Sequence, residues 1–182
     1  MKTFSKMLAM ALVAFGMFSA ANADEKVIFA DDFTKLRWGH SGGLAKPELV
    51  AGPKEGQKAM KLVFDINGKT SSYPQVQHYL NPKYPVPENT KVIVEFDVKI
   101  ERVNGTLDLA VAGVNFGDFV STKMPFLDDD KWTNVKIEIA PRKGKTNVSL
   151  DRISINADVR KVAKGTKVNF LFANLKVYPA AK

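Results

Sequence analysis

Apolar and polar residues alternate along this chain with a period of two rather than 3.6, which is the signature of half-buried strands. Met60, Leu62, Phe64 and Ile66 alternate with Lys61, Val63 and Asp65, and Asn67-Gly68 then marks a turn. Val92, Val94, Phe96, Val98 and Ile100 alternate with Ile93, Glu95, Asp97, Lys99 and Glu101. Asn104-Gly105 reads as a hairpin signal leading into a strand from Leu107 to Val114. Val135, Ile137 and Ile139 alternate with Asn134, Lys136 and Glu138. Pro141 to Asn147 reads as a turn before a strand from Val148 to Ile155, and a last strand runs from Val168 to Val177.

About eight or nine short strands separated by turns predict an all-β fold, an antiparallel β-sandwich of the jelly-roll kind. Clean alternation predicts that each sheet keeps one face in water. Asp158 to Lys164 is long enough for one helical turn. Residues 24–30 and the tail from Pro179 to Lys182 are expected to fray.

The first 23 residues fall outside this pattern. Lys2 and Lys6 precede an apolar run from Met7 to Phe18, and Ala21-Asn22-Ala23 forms an A-x-A cleavage box before Asp24-Glu25. This reads as a signal peptide cleaved after Ala23. The run is shorter than the ~20 apolar residues that span a bilayer. Residues 24–182 then form one sandwich domain, secreted or periplasmic, with no membrane span after cleavage. The chain carries a net charge of +8, and losing the two leader lysines leaves it basic. Both signs are interspersed, which favours a glycan or anionic surface polymer over nucleic acid as partner. With no cysteine, disulfides, thiol catalysis and thiolate-bound zinc are excluded.

Several stretches, in order, resemble one known pattern. Phe29-Ala30-Asp31-Asp32-Phe33 followed by Trp38 resembles the opening of galactose-binding-like sandwich domains. Lys58 to Leu62, Gln75-Val76-Gln77, Tyr84 to Glu88 and Val92 to Lys99 resemble their middle strands. Trp132 to Ile137 and Leu171 to Val177 resemble their last two. These are landmarks of the carbohydrate-binding modules attached to xylanases and glucanases. The resemblance implies a jelly roll, a glycan ligand and no catalysis. Many such modules hold a structural calcium through an acidic residue near the N-terminus and an aspartate late in the chain. Asp32 matches the first, but Ala173 stands at the second, so no metal and no other cofactor is expected.

Three segments carry candidate chemistry. In the strand around Tyr73 to Leu80, Pro74, Val76, His78 and Leu80 fall on one face. Tyr73, Gln75, Gln77 and Tyr79 fall on the other. Phenol rings stack on pyranose faces and amides fork onto vicinal hydroxyls, so this row is the leading carbohydrate-binding candidate; the resemblance places this strand across a concave face. Trp38, in a glycine-rich loop with His40, reads either as a stacking anchor at the rim or as a ring folded over the sandwich end. Phe116, in Val114 to Phe119, reads either as a rim residue or as a core plug. Trp132 reads as structural and Asp128-Asp129-Asp130 as a solvated turn.

Catalysis is the weaker expectation. Glu95, Asp97 and residue 99 resemble the E-x-D-x-E strand of laminarinase-like glycosidases, but Lys99 removes the third carboxylate. Gln77-His78 resembles a dipeptide of sandwich lyases, whose Arg/Glu-rich and Tyr-Lys-rich strands are missing. With only His40 and His78 in the chain, no Ser-His-Asp or His-rich metal site can be assembled. The expectation is therefore a non-catalytic exported carbohydrate-binding domain. The alternative is an envelope or matrix domain that binds another envelope protein.

Overall fold

Two antiparallel sheets account for the chain in a computed structural model, which describes residues 27–86, 90–107, 112–115 (backbone only), 118–145 and 148–180. The strands are β1 Phe29–Asp31, β2 Gly39–Ser41, β3 Glu48–Ala51, β4 Lys58–Asp65, β5 Gln75–Pro85 and β6 Val92–Asn104. They continue with β7 Ala112–Asn115, β8 Thr122–Lys123, β9 Thr133–Ile139, β10 Ser149–Ala157 and β11 Lys167–Pro179. The first sheet has the order β3-β4-β11-β6-β9, with β1 added beside β11; the second has the order β2-β5-β10-β7-β8. Among the described residues no helix forms, and none is long and apolar enough to cross a membrane. The leader assigned to residues 1–23 lies outside the described residues.

Period-2 patterning explains the long strands directly. Val92, Val94, Phe96, Val98 and Ile100 of β6 are buried, while Glu95, Asp97, Lys99 and Glu101 line the opposite face. Strand β11 breaks the pattern, being buried at nearly every position. The reason is its place in the sheet. Its first half pairs with β4 on one edge and β6 on the other, and Leu171 lies in register between Lys61 and Lys99. The alkyl stems of two such lysines cover an outward-facing leucine. On the inner face, Phe170 and Phe172 meet Phe64 and Phe96 edge-on, each pair with centroids 5.4 Å apart. These rings are among the largest fully buried side chains.

Some expectations are corrected. Asn104-Gly105 does not close a hairpin. Strand β6 pairs with β11 and β9, whereas β7 pairs with β10 and β8 in the other sheet. Gly105 does turn the chain, at φ 65°, but it carries it across the sandwich. Eleven strands form among the described residues instead of eight or nine, because short edge strands such as β2 and β8 lack any readable alternation. The ends are tied down further than expected, through Ile28 N–H to the Val177 carbonyl at 2.7 Å and Ala180 N–H to the Lys91 carbonyl at 2.9 Å. The segment after Asp158 does turn back, with Val162 N–H donating to the Val159 carbonyl at 3.0 Å.

Truncating a ring at the centre of this packing is expected to cost about 3–5 kcal/mol, since phenylalanine-to-alanine changes leave large cavities. Phe172→Ala should show that loss in urea denaturation. Phe126→Ala, at a ring 80% exposed, should stay within about 0.5 kcal/mol.

Candidate functional site

The outer face of the second sheet is built from three rows running across its strands. In-register residues of antiparallel strands share a face, so the pairing defines each row. The first row is Ser41, Gln75, Asn156, Gly113 and Lys123, from β2 across to β8. The second is Gly39, Gln77, Ser154 and Asn115. The third pairs Tyr79 with Arg152. Gln75, Gln77 and Tyr79 are thus brought to one face, as the alternation predicts, with Val76 buried beneath them. Tyr79 is 62% exposed and Tyr73 52%. Tyr79 lies within β5, and Tyr73 stands two residues before its start, in the segment that leads into it.

The polar groups here are not consumed by the protein itself. The Gln77 side-chain oxygen Oε1 is buried and has no hydrogen-bond partner. Tyr73 is braced from below. The Arg160 guanidinium lies 5.1 Å from its ring centroid and is held in turn by Asp158, with Nε–Oδ1 at 2.8 Å and Nη2–Oδ2 at 2.5 Å. Hydrogen bonds from Arg160 hold the Asp158 carboxyl down to about 2. Gly42 supports the same corner, because at φ +75° a Cβ there would sit 2.6 Å from the Pro74 Cα.

Trp38 does not join this face. It is 5% exposed and packs in the core, with its ring centroid 6.2 Å from Phe33 and 5.7 Å from His78. Asp31 pins it there, since its Oδ2 accepts from the indole Nε1 at 2.9 Å while its Oδ1 accepts from the Phe33 amide at 2.8 Å. The rim reading of Trp38 is therefore corrected, and the loop tryptophan is a plug at the sandwich end. Phe116 lies outside the described residues. His40 pairs with Val76, off the rows that carry Gln75 and Gln77. His78 falls on the opposite face from Gln77, with Nδ1 3.0 Å from the Arg37 carbonyl oxygen, so the lyase-like dipeptide assembles no joint site. Asp32 accepts twice from Thr34, at 3.0 Å from the amide and from the hydroxyl.

Two cavities lie off this face. One of about 380 Å³ is lined by Gln57, Glu95, Asp97, Asn134, Asn174 and the Asp31-Asp32 turn among others. It opens where β11 bulges between its pairings with β4 and β1, with Asn174 at φ 52°. Its carboxylates are already engaged. Asp97 accepts from Asn134 at 2.9 Å and from Asn174 at 2.6 Å. Glu95 accepts from Tyr178 at 2.9 Å and pairs with Lys136 at 3.3 Å. Burial pushes the Glu95 carboxyl up, but the hydrogen bonds from Tyr178 and Lys136 outweigh it and hold it below its ordinary value. A glycosidase acid needs the opposite shift. Among the described residues there, Gln57 Oε1 is the one side-chain oxygen left buried and unpartnered. The second cavity, about 270 Å³, lies beside β1 between Asp31, Arg37 and His78.

No protein-family model matches the chain, and no curated protein matches it in sequence. Among solved structures it is similar to the Family 11 carbohydrate-binding module of the cellulosomal cellulase Lic26A-Cel5E of Clostridium thermocellum. Identity is 16%, covering 87% of this chain and 96% of the module, with a TM-score of 0.52. It is also similar to part of an arabinose-bound MgGH51 α-L-arabinofuranosidase, at 13% identity over 80% of this chain with a TM-score of 0.55. The chain spans 23% of that enzyme's length. These are likenesses of fold: the chain is an antiparallel sandwich of the kind found in carbohydrate-binding modules.

The Glu95 network has a pH signature. A carboxyl held low in the folded state stabilises fully above its unfolded value and loses that stabilisation as pH falls through the folded one. The melting-temperature gap between wild type and Glu95→Gln should therefore narrow on acidification from about pH 6 to about pH 3. A constant or widening gap would show that Tyr178 and Lys136 do not favour the ionised form.

Proposed function

We propose that this is an exported, non-catalytic polysaccharide-binding domain whose ligand lies along β5 on the outer face of the second sheet. The observation that carries the reading is the row of Gln75, Gln77 and Tyr79 on one solvent-facing surface, with the Gln77 acceptor buried and unpartnered. A buried polar group without a partner is costly, and turning the Gln77 amide outward would let a sugar hydroxyl supply the missing donor. Tyr79 and the braced Tyr73 offer ring faces for pyranose stacking. Open platforms of this kind give modest affinity, with selectivity from hydroxyl pairing.

The fold likeness to a carbohydrate-binding module supports the same assignment. The state of the carboxylates supports the absence of catalysis, since Glu95 and Asp97 are spent on hydrogen bonds within the first sheet. The cleavage box after Ala23 supports export.

Calorimetric titration of residues 24–182 with soluble neutral and acidic polysaccharides tests the reading. Binding is expected, with Tyr79→Ala weakening it at least about tenfold, as the loss of a stacked ring does. The melting temperature should shift by less than about 2 °C, because the ring is exposed. No heat with any polysaccharide at millimolar saccharide contradicts the proposal. A large loss of stability in Tyr79→Ala would show the ring to be structural.

A further inference from the structure

Among the described residues Arg152 has no counter-ion. It sits on β10 directly opposite Tyr79, so their Cβ atoms are about 5 Å apart. The side chain is half-buried, yet among the described residues it makes no hydrogen bond, ion pair or ring contact. The other half-buried arginine is partnered, Arg102 pairing with Asp129, and the exposed Arg142 donates to the Phe119 carbonyl at 3.2 Å. Even the largely exposed Arg160 is clasped by Asp158. A partly desolvated guanidinium with no partner is unfavourable unless something else supplies the anion.

The charges around it define what that anion meets. Lys123 closes the first row at β8, and Lys83 follows Tyr79 on β5 after the irregular stretch that spans Leu80 to Lys83. Neither lysine is in a salt bridge. Among the described residues, the acid beside Arg152 is Asp151, the adjacent residue of β10. Its Oδ1 is buried without a partner, and it forms no ion pair with Arg152. Among the described residues, Arg152 and Lys83 thus carry positive charge at the Tyr79 end of β5, with Lys123 farther off in the Gln75 row on β8. A planar guanidinium fork matches a carboxylate in two-point geometry better than it matches a hydroxyl.

Resting on the glycan-binding reading above, we infer that the ligand is an acidic polysaccharide whose uronate carboxylate is taken by Arg152 while a sugar ring stacks on the facing Tyr79. Arg152 is then the residue that selects acidic over neutral chains. Lys83 and Lys123 add long-range attraction that salt screens, whereas the fork at Arg152 is retained at moderate ionic strength.

Matched polymers test this. The probes are polygalacturonate and alginate, each beside its carboxyl-reduced neutral form, with a neutral mixed-linked β-glucan as a further arm. Wild type is expected to bind at least one parent polymer about tenfold or more tighter than its reduced form. Arg152→Gln should erase that ratio while the neutral forms bind as before, and Arg152→Lys should restore only part of it. Thermal melts of both variants confirm folding. If a reduced polymer binds as tightly as its parent, or Arg152→Gln leaves the ratio intact, the inference is wrong. Binding to the β-glucan alone overturns the acidic class and leaves glycan binding standing. Binding to none of the five removes both.

Discussion

Strand β11 is the element on which the rest of the structure depends. One edge pairs with β6 over nearly its whole length, and the other is shared by β4 and then β1. The other five strands of the first sheet are ordered around it. With no cysteine to staple the layers, the sandwich relies on this ladder and on the aromatic packing beneath it, where Phe170 and Phe172 meet Phe64 and Phe96. A domain of this size buries enough apolar surface to be stable without disulfides. The break between the β4 and β1 pairings falls at Ala173-Asn174, and the bulge there opens the larger cavity.

The two outer faces make opposite use of their polar residues. On the first sheet, Asp97, Glu95, Asn134, Asn174, Tyr178 and Lys136 satisfy one another. Such a network holds neighbouring strands together and leaves few groups free for a ligand. On the second sheet, among the described residues, Gln77 lacks a partner for its oxygen and Arg152 lacks an anion. Strands hold these groups at fixed spacing, and the exposed Tyr79 closes the row, with Tyr73 in the segment that precedes β5. This asymmetry is the reason the proposed site for an extended chain is the face without a deep cavity.

Much of this was legible from periodicity. Alternation identifies β4, β6 and β9 because each has one wet face, and it places Gln75, Gln77 and Tyr79 together because that relation is local. The opening Asp31, Phe33 and Trp38 stand out in sequence for a structural reason, since one carboxylate pins both aromatic residues at the sandwich end. What failed was non-local. Asn104-Gly105 reports the backbone conformation of a turn, which is silent on which sheet the next strand joins. Trp38 reads as a loop residue until Asp31 is seen to hold it inward. Arg152 does not stand out in sequence because its proposed role comes from standing opposite Tyr79. That register is set by the irregular stretch of β5 between Tyr79 and Tyr84, and no pattern within β10 announces it.

The central claim is that ligand engages the second sheet and not the cavity on the first. Side-chain amide resonances report this directly, because Gln75, Gln77 and Asn156 lie on one face and Gln57, Asn134 and Asn174 at the other. Titrating neutral and uronate oligosaccharides into 15N-labelled protein should shift the first set progressively and leave the second unmoved. Shifts confined to Gln57, Asn134 and Asn174 would contradict the account and move the site to the bulge of β11.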